Sequence, residues 1–370
     1  MNLSYWEIKS WLSNIDHIVV GSGIVGLNCA LQLKRRLPKS NVLVLEKGML
    51  PQGASTKNAG FACFGSLSEI INDLRNHTEI EVRELVKKRV QGLSLLRETL
   101  GDERLGYQQW GGYELYKISD GLFEACNSKK DEINDLLRPL FKEDVFSFRS
   151  DPFGFQNCHN QLGFNQFEGQ IDTGRMMEAL LEKAQKEGIK ILNNVTVQSF
   201  SEQAFSVRVK TNAFEVTCSN LFVATNGFAI QQNITQVSPA RAQVLITKPI
   251  QDLKIKGTFH FDQGYYYFRN IDDRILFGGG RNLDIQGEET TVFAQTDRIQ
   301  NALEDYLKTT ILPNTSFEIE HRWSGIMGVG SQKSPILKQI SNNIYCGVRL
   351  GGMGVAIGSS VGKDLANLLD

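Results

Sequence analysis

No stretch of the 370-residue chain approaches the roughly 20 consecutive apolar residues that a membrane-spanning helix needs, so no integral membrane segment is expected. Runs of like charge are missing too: Lys plus Arg (40) balance Asp plus Glu (41), for a formal net charge of -1. Nucleic acids and anionic membranes select for concentrated positive charge, so neither is expected as a partner. The six cysteines, Cys29, Cys63, Cys126, Cys158, Cys218 and Cys346, contain no C-x-x-C pair. That excludes an obvious disulfide framework or zinc site, and they read as reduced thiols, mostly buried; no metal site is expected. Internal repeats and low-complexity tracts are absent. Met1 to Asp16 carry Trp6, Ile8, Trp11, Leu12 and Ile15 among polar residues, without the basic-then-apolar order of a signal peptide. This reads as a short capping helix and implies a cytoplasmic protein.

With 41% apolar and 22% charged residues, the chain can bury a large core and is long enough for two domains. Asp16 to Val20 reads as a short apolar strand running into glycines. Ile24 to Leu37 then carries Leu27, Ala30, Leu31 and Leu33 at helical spacing, and a second apolar strand, Asn41 to Leu45, ends on Glu46. Helical stretches follow between Leu67 and Leu100, then a strand at Tyr113 to Ile118 and an amphipathic helix at Thr173 to Glu187. Short β segments run through 189–224, the region 240–281 is strand-rich, Thr291 to Leu307 reads as helix, and the last helix begins near Met353. The expected fold class is α/β, α+β overall: a Rossmann-like dinucleotide-binding domain with a mostly antiparallel β-sheet substrate domain inserted into it. The first comprises residues 1–80, 145–240 and 325–370, and the second 81–144 and 241–324.

Gly21-Ser22-Gly23-Ile24-Val25-Gly26 fits G-x-G-x-x-G between that first strand and helix, and Glu46 closes the next strand. In this setting Gly21 permits the tight turn, Gly23 lets a pyrophosphate approach the backbone, and Gly26 allows close helix packing. The helix N-terminus offers free N–H groups to the phosphates, and Glu46 can accept hydrogen bonds from the ribose hydroxyls. The motif alone does not separate NAD from FAD.

Further segments narrow the choice. Gly53-Ala54-Ser55-Thr56-Lys57-Asn58-Ala59-Gly60-Phe61, Ala224-Thr225-Asn226-Gly227 and Gly351-Gly352-Met353-Gly354 resemble the D-amino-acid oxidase family of flavoenzymes, which includes glycine, sarcosine and γ-glutamylputrescine oxidases. Glu168-Gly169-Gln170-Ile171-Asp172, Tyr265 to Arg269, Phe277 to Arg281 and Trp323-Ser324-Gly325 follow in the family's order, so the resemblance spans nearly the whole chain. It implies FAD as cofactor, and because no cysteine stands just after Trp323 and no histidine occurs in Gly53 to Phe61, where some relatives attach the flavin, the FAD is expected to be non-covalent. Ser55 and Thr56 would lie near the pyrophosphate, Lys57, Asn58, Ala59 and Gly60 near the isoalloxazine, and Val195, Thr196 and Val197 on the adenine side. Lys47 and the Ala224, Thr225, Asn226 and Gly227 segment complete the FAD set. Gly351, Gly352, Met353, Gly354 and Val355 would aim backbone N–H groups at the flavin's N1–C2=O edge.

The resemblance further implies hydride transfer from a carbon bearing an amine, with a small amine or amino acid as substrate and oxygen or another electron acceptor. Tyr265, Tyr267, Arg281 and Arg349 are the candidates for substrate contact, against packing for the tyrosines and a surface ion pair for Arg281. His321, Arg322 and Trp323 read as residues that hold the domains together. The chain departs from the family's amino-acid oxidases at Met327, where they place a carboxylate-binding arginine. That departure favours an amine, or a substrate whose carboxylate is bound elsewhere. Oxidation of a 2-hydroxy acid or polyol phosphate, and a non-catalytic flavin-binding subunit, remain open readings.

Overall fold

The computed structural model describes residues 2–369. Its first sheet has eight strands. Ile15–Val20 pairs in parallel with Val42–Leu45 and with Glu215–Val223. Lys190–Leu192 and Ile344–Val348 extend the parallel part on either side. Ile336–Ser341 closes one edge antiparallel, and Val207–Thr211 and Val197–Glu202 branch from Glu215–Val223. Val42–Leu45 and Ile344–Val348 are buried at every position, as parallel strands covered on both faces must be. Val19, Val42, Val44, Phe222 and Tyr345 point to the helical side, while Ile18, Val20, Leu43, Leu45 and Val223 pack under the branched strands. This strand–glycine–helix–strand unit is the one expected.

Several helices share the helical side, Thr173–Lys186 among them. Gly354–Asn367 lies between Ile24–Arg36 and Glu79–Leu100, and glycines set the separation. A Cβ on Gly362 would press on the Val25 carbonyl and lie 2.9 Å from the Cys29 nitrogen, and one on Gly92 would press on the Ala356 carbonyl.

The second sheet, also eight-stranded, runs Ile319–Val329, Ser238–Thr247, Arg274–Gly279, Tyr266–Ile271, Thr258–Phe261, Gly112–Leu115, Gln161–Asn165 and Phe146–Ser150. It is antiparallel except where Thr258–Phe261 meets Gly112–Leu115. Its core stacks Phe259 on Phe268 and Phe261 on Tyr266. Two expectations differ from this arrangement. The sequence groups residues 146–165 with the nucleotide-binding segments; their strands instead complete the second sheet, because Gln161–Asn165 pairs with Gly112–Leu115 and Phe146–Ser150 with Gln161–Asn165. Glu79–Leu100 was mostly grouped with the insertion, yet its buried face, Val86, Leu93 and Leu96, belongs to the first sheet's helical side. Helix Leu122–Phe141 was not anticipated, and Asp297–Tyr306 starts later than expected, after an irregular 291–296. All six cysteines are free, with Cys158 alone half-buried. Among the described residues no helix is long and apolar enough to cross a membrane.

The second sheet is fastened to the 57–59 loop and to the short strand Gly169–Gln170. The Trp323 indole donates to the Lys57 carbonyl (3.0 Å), the Arg269 guanidinium donates to the Ala59 carbonyl, and Gln170 donates to the Asn270 carbonyl (3.2 Å). Trp323 therefore has the fastening role read from sequence, whereas Arg322 pairs with Glu304 and Gln300 and fixes a helix to its own sheet.

The glycine-set helix packing gives a direct expectation. Gly362→Ala should lower unfolding free energy by about 1–3 kcal/mol through overpacking, although alanine is the better helix former. Urea titration measures this, and unchanged or increased stability would contradict the packing described.

Candidate functional site

The glycine turn is built by contact rather than by flexibility alone. Gly21 has φ +102°, and a Cβ there would stand 2.9 Å from the Ala224 carbonyl oxygen. At Gly26 a Cβ would collide with the Gly21 carbonyl. A Cβ on Gly23 would come 2.7 Å from Ser55 Oγ, which accepts a hydrogen bond from the Ile24 N–H at 2.9 Å. Ser55 thus meets the N-terminus of helix Ile24–Arg36, where partial positive charge collects.

Glu46 is the most heavily bonded carboxylate of the turn. Its Oε2 accepts from the Ser22 N–H (3.0 Å) and Ser22 hydroxyl (2.8 Å), and its Oε1 accepts from the N–H groups of Gly48 (3.0 Å) and Gln52 (3.3 Å). Glu46 is therefore a structural tie as well as a lining residue.

One continuous cavity of about 500 Å³ runs between the sheets. At one end lie Glu46, Lys47 and Val195 to Val197. Gly21, Gly23, Ile24, Val25, Ser55 and Ala224 to Asn226 follow. Lys57, Asn58 and Ala59 continue the wall, with Gly351, Gly352, Met353, Gly354 and Val355 beside them. Tyr265, Tyr267 and Arg281 stand on the second sheet's side. The folded chain thus brings together most of the residues singled out from distant parts of the sequence.

Six of those residues do not line the cavity. Ser22 is sealed against Glu46. Thr56 donates its hydroxyl to the Pro51 carbonyl (2.6 Å) and closes its own loop. Gly26, Gly60 and Gly227 serve close packing, the last two against the carbonyls of Ile171 and Met327. Arg349 is a correction to its proposed substrate contact: its guanidinium is buried and donates to the carbonyls of Ser334 (2.9 and 3.0 Å) and Gln236 (3.3 Å). A guanidinium committed to three such bonds is a brace for the chain before the Gly351 turn.

Arg281 is different. It borders the cavity, and among the described residues its guanidinium has no hydrogen bond or ion pair. Phe61 meets Tyr267 edge-on at 5.6 Å and His260 at 5.1 Å. Burial pushes the Tyr267 hydroxyl up to about 12, so it stays protonated. Lys47 stands 3.3 Å from the Phe228 ring centroid, and burial lowers its ammonium's pKa.

Sequence reasoning missed Glu69, His260 and Lys333 on this cavity. Glu69 closes the capping box of Ser66, from whose N–H it accepts at 2.9 Å. Burial works to raise its carboxyl, but His260, Lys333 and Arg89 outweigh that and hold it below its ordinary value. His260 sat in an apolar strand and carried no motif. Lys333, paired with Asp73, came from a loop.

Comparison with known proteins identifies the family and the fold. The family model described as FAD dependent oxidoreductase matches residues 16–368. A probable oxidoreductase, OrdL, of Haemophilus influenzae is 22% identical over 396 residues, covering 97% of this chain and 84% of its own. Among solved structures, L-proline dehydrogenase from P. horikoshii has a TM-score of 0.76 at 19% identity, covering 96% of this chain and 93% of its own. Glycine oxidase from Geobacillus kaustophilus gives 0.77 at 16% identity, with 96% and 95% covered. Iminodiacetate oxidase from Chelativorans sp. BNC1 gives 0.75 at 16%, with 95% of each chain covered. At these identities the structures establish the shared fold.

Because Glu46 serves both the turn and the cavity, Glu46→Ala should lose nucleotide affinity and stability together. Charge-assisted hydrogen bonds are typically worth about 1.5–3 kcal/mol, so FAD should dissociate roughly 10- to 150-fold more readily and the melting temperature should fall. Fluorescence titration of the stripped protein with FAD reads the first; wild-type affinity in a folded variant would contradict the placement of Glu46.

Proposed function

The chain belongs to the FAD dependent oxidoreductase family, and on that premise we propose that it oxidises a carbon–nitrogen bond of an amino acid or related amine to an imine, which water then hydrolyses. The residues fit the cofactor. Side chains at Gly21 and Gly23 would intrude where the glycine turn opens on the cavity, and two helix N-termini, at Ile24 and Gly354, border it. Gly21, Gly23, Ile24, Val25, Ser55 and Glu46 would hold the adenosine-diphosphate half, and Lys57 to Ala59 with Gly351 to Val355 the ring. FAD supplies the acceptor for the substrate's hydride.

The observation that carries the reading is Arg281. A cation with no protein partner on the wall of a partly closed cavity is available to a substrate carboxylate, which would otherwise be costly to desolvate. It would take over from the arginine that Met327 replaces; Met327 lines the same cavity, its sulfur 3.5 Å from where a Gly352 Cβ would be. The aromatic wall of Phe61 and Tyr267 would orient the substrate's carbon and exclude water. The named substrates of three solved neighbours, L-proline, glycine and iminodiacetate, each carry nitrogen and carboxylate, which supports the same class.

The test is an anaerobic panel of amines, N-methyl amino acids, D-amino acids and 2-hydroxy acids, reading loss of the flavin's visible absorbance. Nitrogen compounds with a carboxylate should bleach it, and bleaching by hydroxy acids alone would refute the proposal. Arg281→Met should then cut kcat/KM for the carboxylate substrate roughly 10- to 150-fold, the about 1.5–3 kcal/mol of a charged hydrogen bond, while a neutral amine is affected little. Equal effects on both would remove Arg281 from the carboxylate.

Two cysteines bear on how FAD is held. Cys63 lines the cavity, but burial pushes its thiol well above its ordinary value and it lies 3.8 Å from the Met353 sulfur, so it is a poor nucleophile. Cys346 is sealed within its strand. Acid precipitation should therefore leave the yellow colour in the supernatant; a yellow pellet would indicate a covalent link.

A further inference from the structure

His260 is nine-tenths buried on strand Thr258–Phe261, yet its Nε2 has no hydrogen-bond partner. A histidine that merely fills a core normally has its buried ring nitrogens satisfied. The ring borders the cavity, and behind Nε2, at 3.9 Å, stands Oε2 of the buried Glu168. The other oxygen of Glu168 is anchored by the Phe64 N–H at 2.9 Å, which fixes the carboxyl's direction. Hydrogen bonds of working acid–base groups are commonly long before substrate arrives.

We propose that His260 and Glu168 form a proton-accepting pair at the cavity wall: Nε2–H donates to the Glu168 carboxylate, and the other ring nitrogen takes a proton from the substrate's ammonium. This rests on the carbon–nitrogen reading given above. In the step, the substrate's N–H bond breaks, its electron pair remains on nitrogen, and the new N–H bond makes His260 an imidazolium facing two carboxylates. The neutral amine is then able to give up the hydride from the adjacent carbon.

The surroundings suit the role. Burial keeps His260 below its ordinary value, with Glu69 opposing. Burial also raises Glu168 to about 8, with Glu69 and Glu114 adding to the rise and the Phe64 N–H countering it. Around the ring, Glu69 comes from helix Leu67–Asp73, Glu114 and Tyr267 from the flanking strands, and Lys333 and Arg89 lie beyond Glu69. Glu114 is occupied by the hydroxyls of Ser66, Ser68 and Tyr116. Below about pH 8 a protonated Glu168 donates to Nε2, placing the imidazole's own proton on the cavity-side nitrogen. Above it the roles reverse and that nitrogen becomes an acceptor.

The test has two arms on the FAD-loaded enzyme. Without substrate, NMR of isotope-labelled histidine should show the His260 ring changing tautomer with a midpoint near pH 8, and Glu168→Gln, nearly isosteric, should abolish the change. With the amine or amino acid that bleaches flavin fastest, the anaerobic reduction rate should rise through the same pH. Glu168→Gln and His260→Asn should each lose that rise and react about 100-fold more slowly at alkaline pH. A single tautomer throughout, or wild-type pH profiles in both variants, would overturn the pair while leaving carbon–nitrogen oxidation standing. Bleaching by hydroxy acids alone would overturn the reading beneath it, and the substrate-free arm tells the two failures apart.

Discussion

The Glu46 carboxylate ties together segments that are remote along the chain. Ser22 belongs to the turn after the first strand, Gly48 and Gln52 to the loop after the second, and all three donate to it. The backbone of Glu46 meanwhile bonds the Leu192 carbonyl and the Val195 N–H, so the next strand and its loop are registered on the same residue. A buried carboxylate left with fewer donors would be costly, and this cost fixes the turn at Gly21 to Gly26 in one conformation. The cavity's first half follows from that tie, since Ser55, Ala224 and the helix N-terminus at Ile24 are all placed by the turn.

The second half depends on how the antiparallel sheet is fastened. Trp323 and Arg269 both donate to carbonyls of the 57–59 segment, so that segment is gripped from the sheet's side while Ser55 grips the helix beside it. Tyr267, His260 and Arg281 are carried on strands or strand ends whose spacing the sheet dictates, which sets them on one cavity wall together with Met327. Buried aromatic and charged groups held this way are preorganised, which is what orienting a small substrate requires.

How much was legible in the sequence follows from what kind of signal each part leaves. The glycine turn, Glu46 and the Gly351 to Gly354 segment were readable because backbone approach to another backbone tolerates few residue types. Arg281 was readable as a cation after a glycine run, but Arg349 looked just as suitable, and only the fold shows its guanidinium consumed by the Ser334 and Gln236 carbonyls. His260 and Glu168 leave almost no local trace. They come together because Gly112–Leu115 pairs on one side with Thr258–Phe261 and on the other with Gln161–Asn165, the strand just before Glu168, a contact no spacing rule conveys. The strands at 146–165 were misplaced for the same reason: their partner is a distant strand, and their own alternation does not say which sheet they join.

The reaction proposed for this cavity is oxidation of a carbon–nitrogen bond. A single anaerobic turnover with a stoichiometric amount of the best reductant, followed by assay of free ammonia or amine, tests it most directly. One equivalent of nitrogen released as ammonia or amine, with one equivalent of carbonyl product, for each flavin bleached is the expected result; bleached flavin and carbonyl product with no nitrogen released would contradict it.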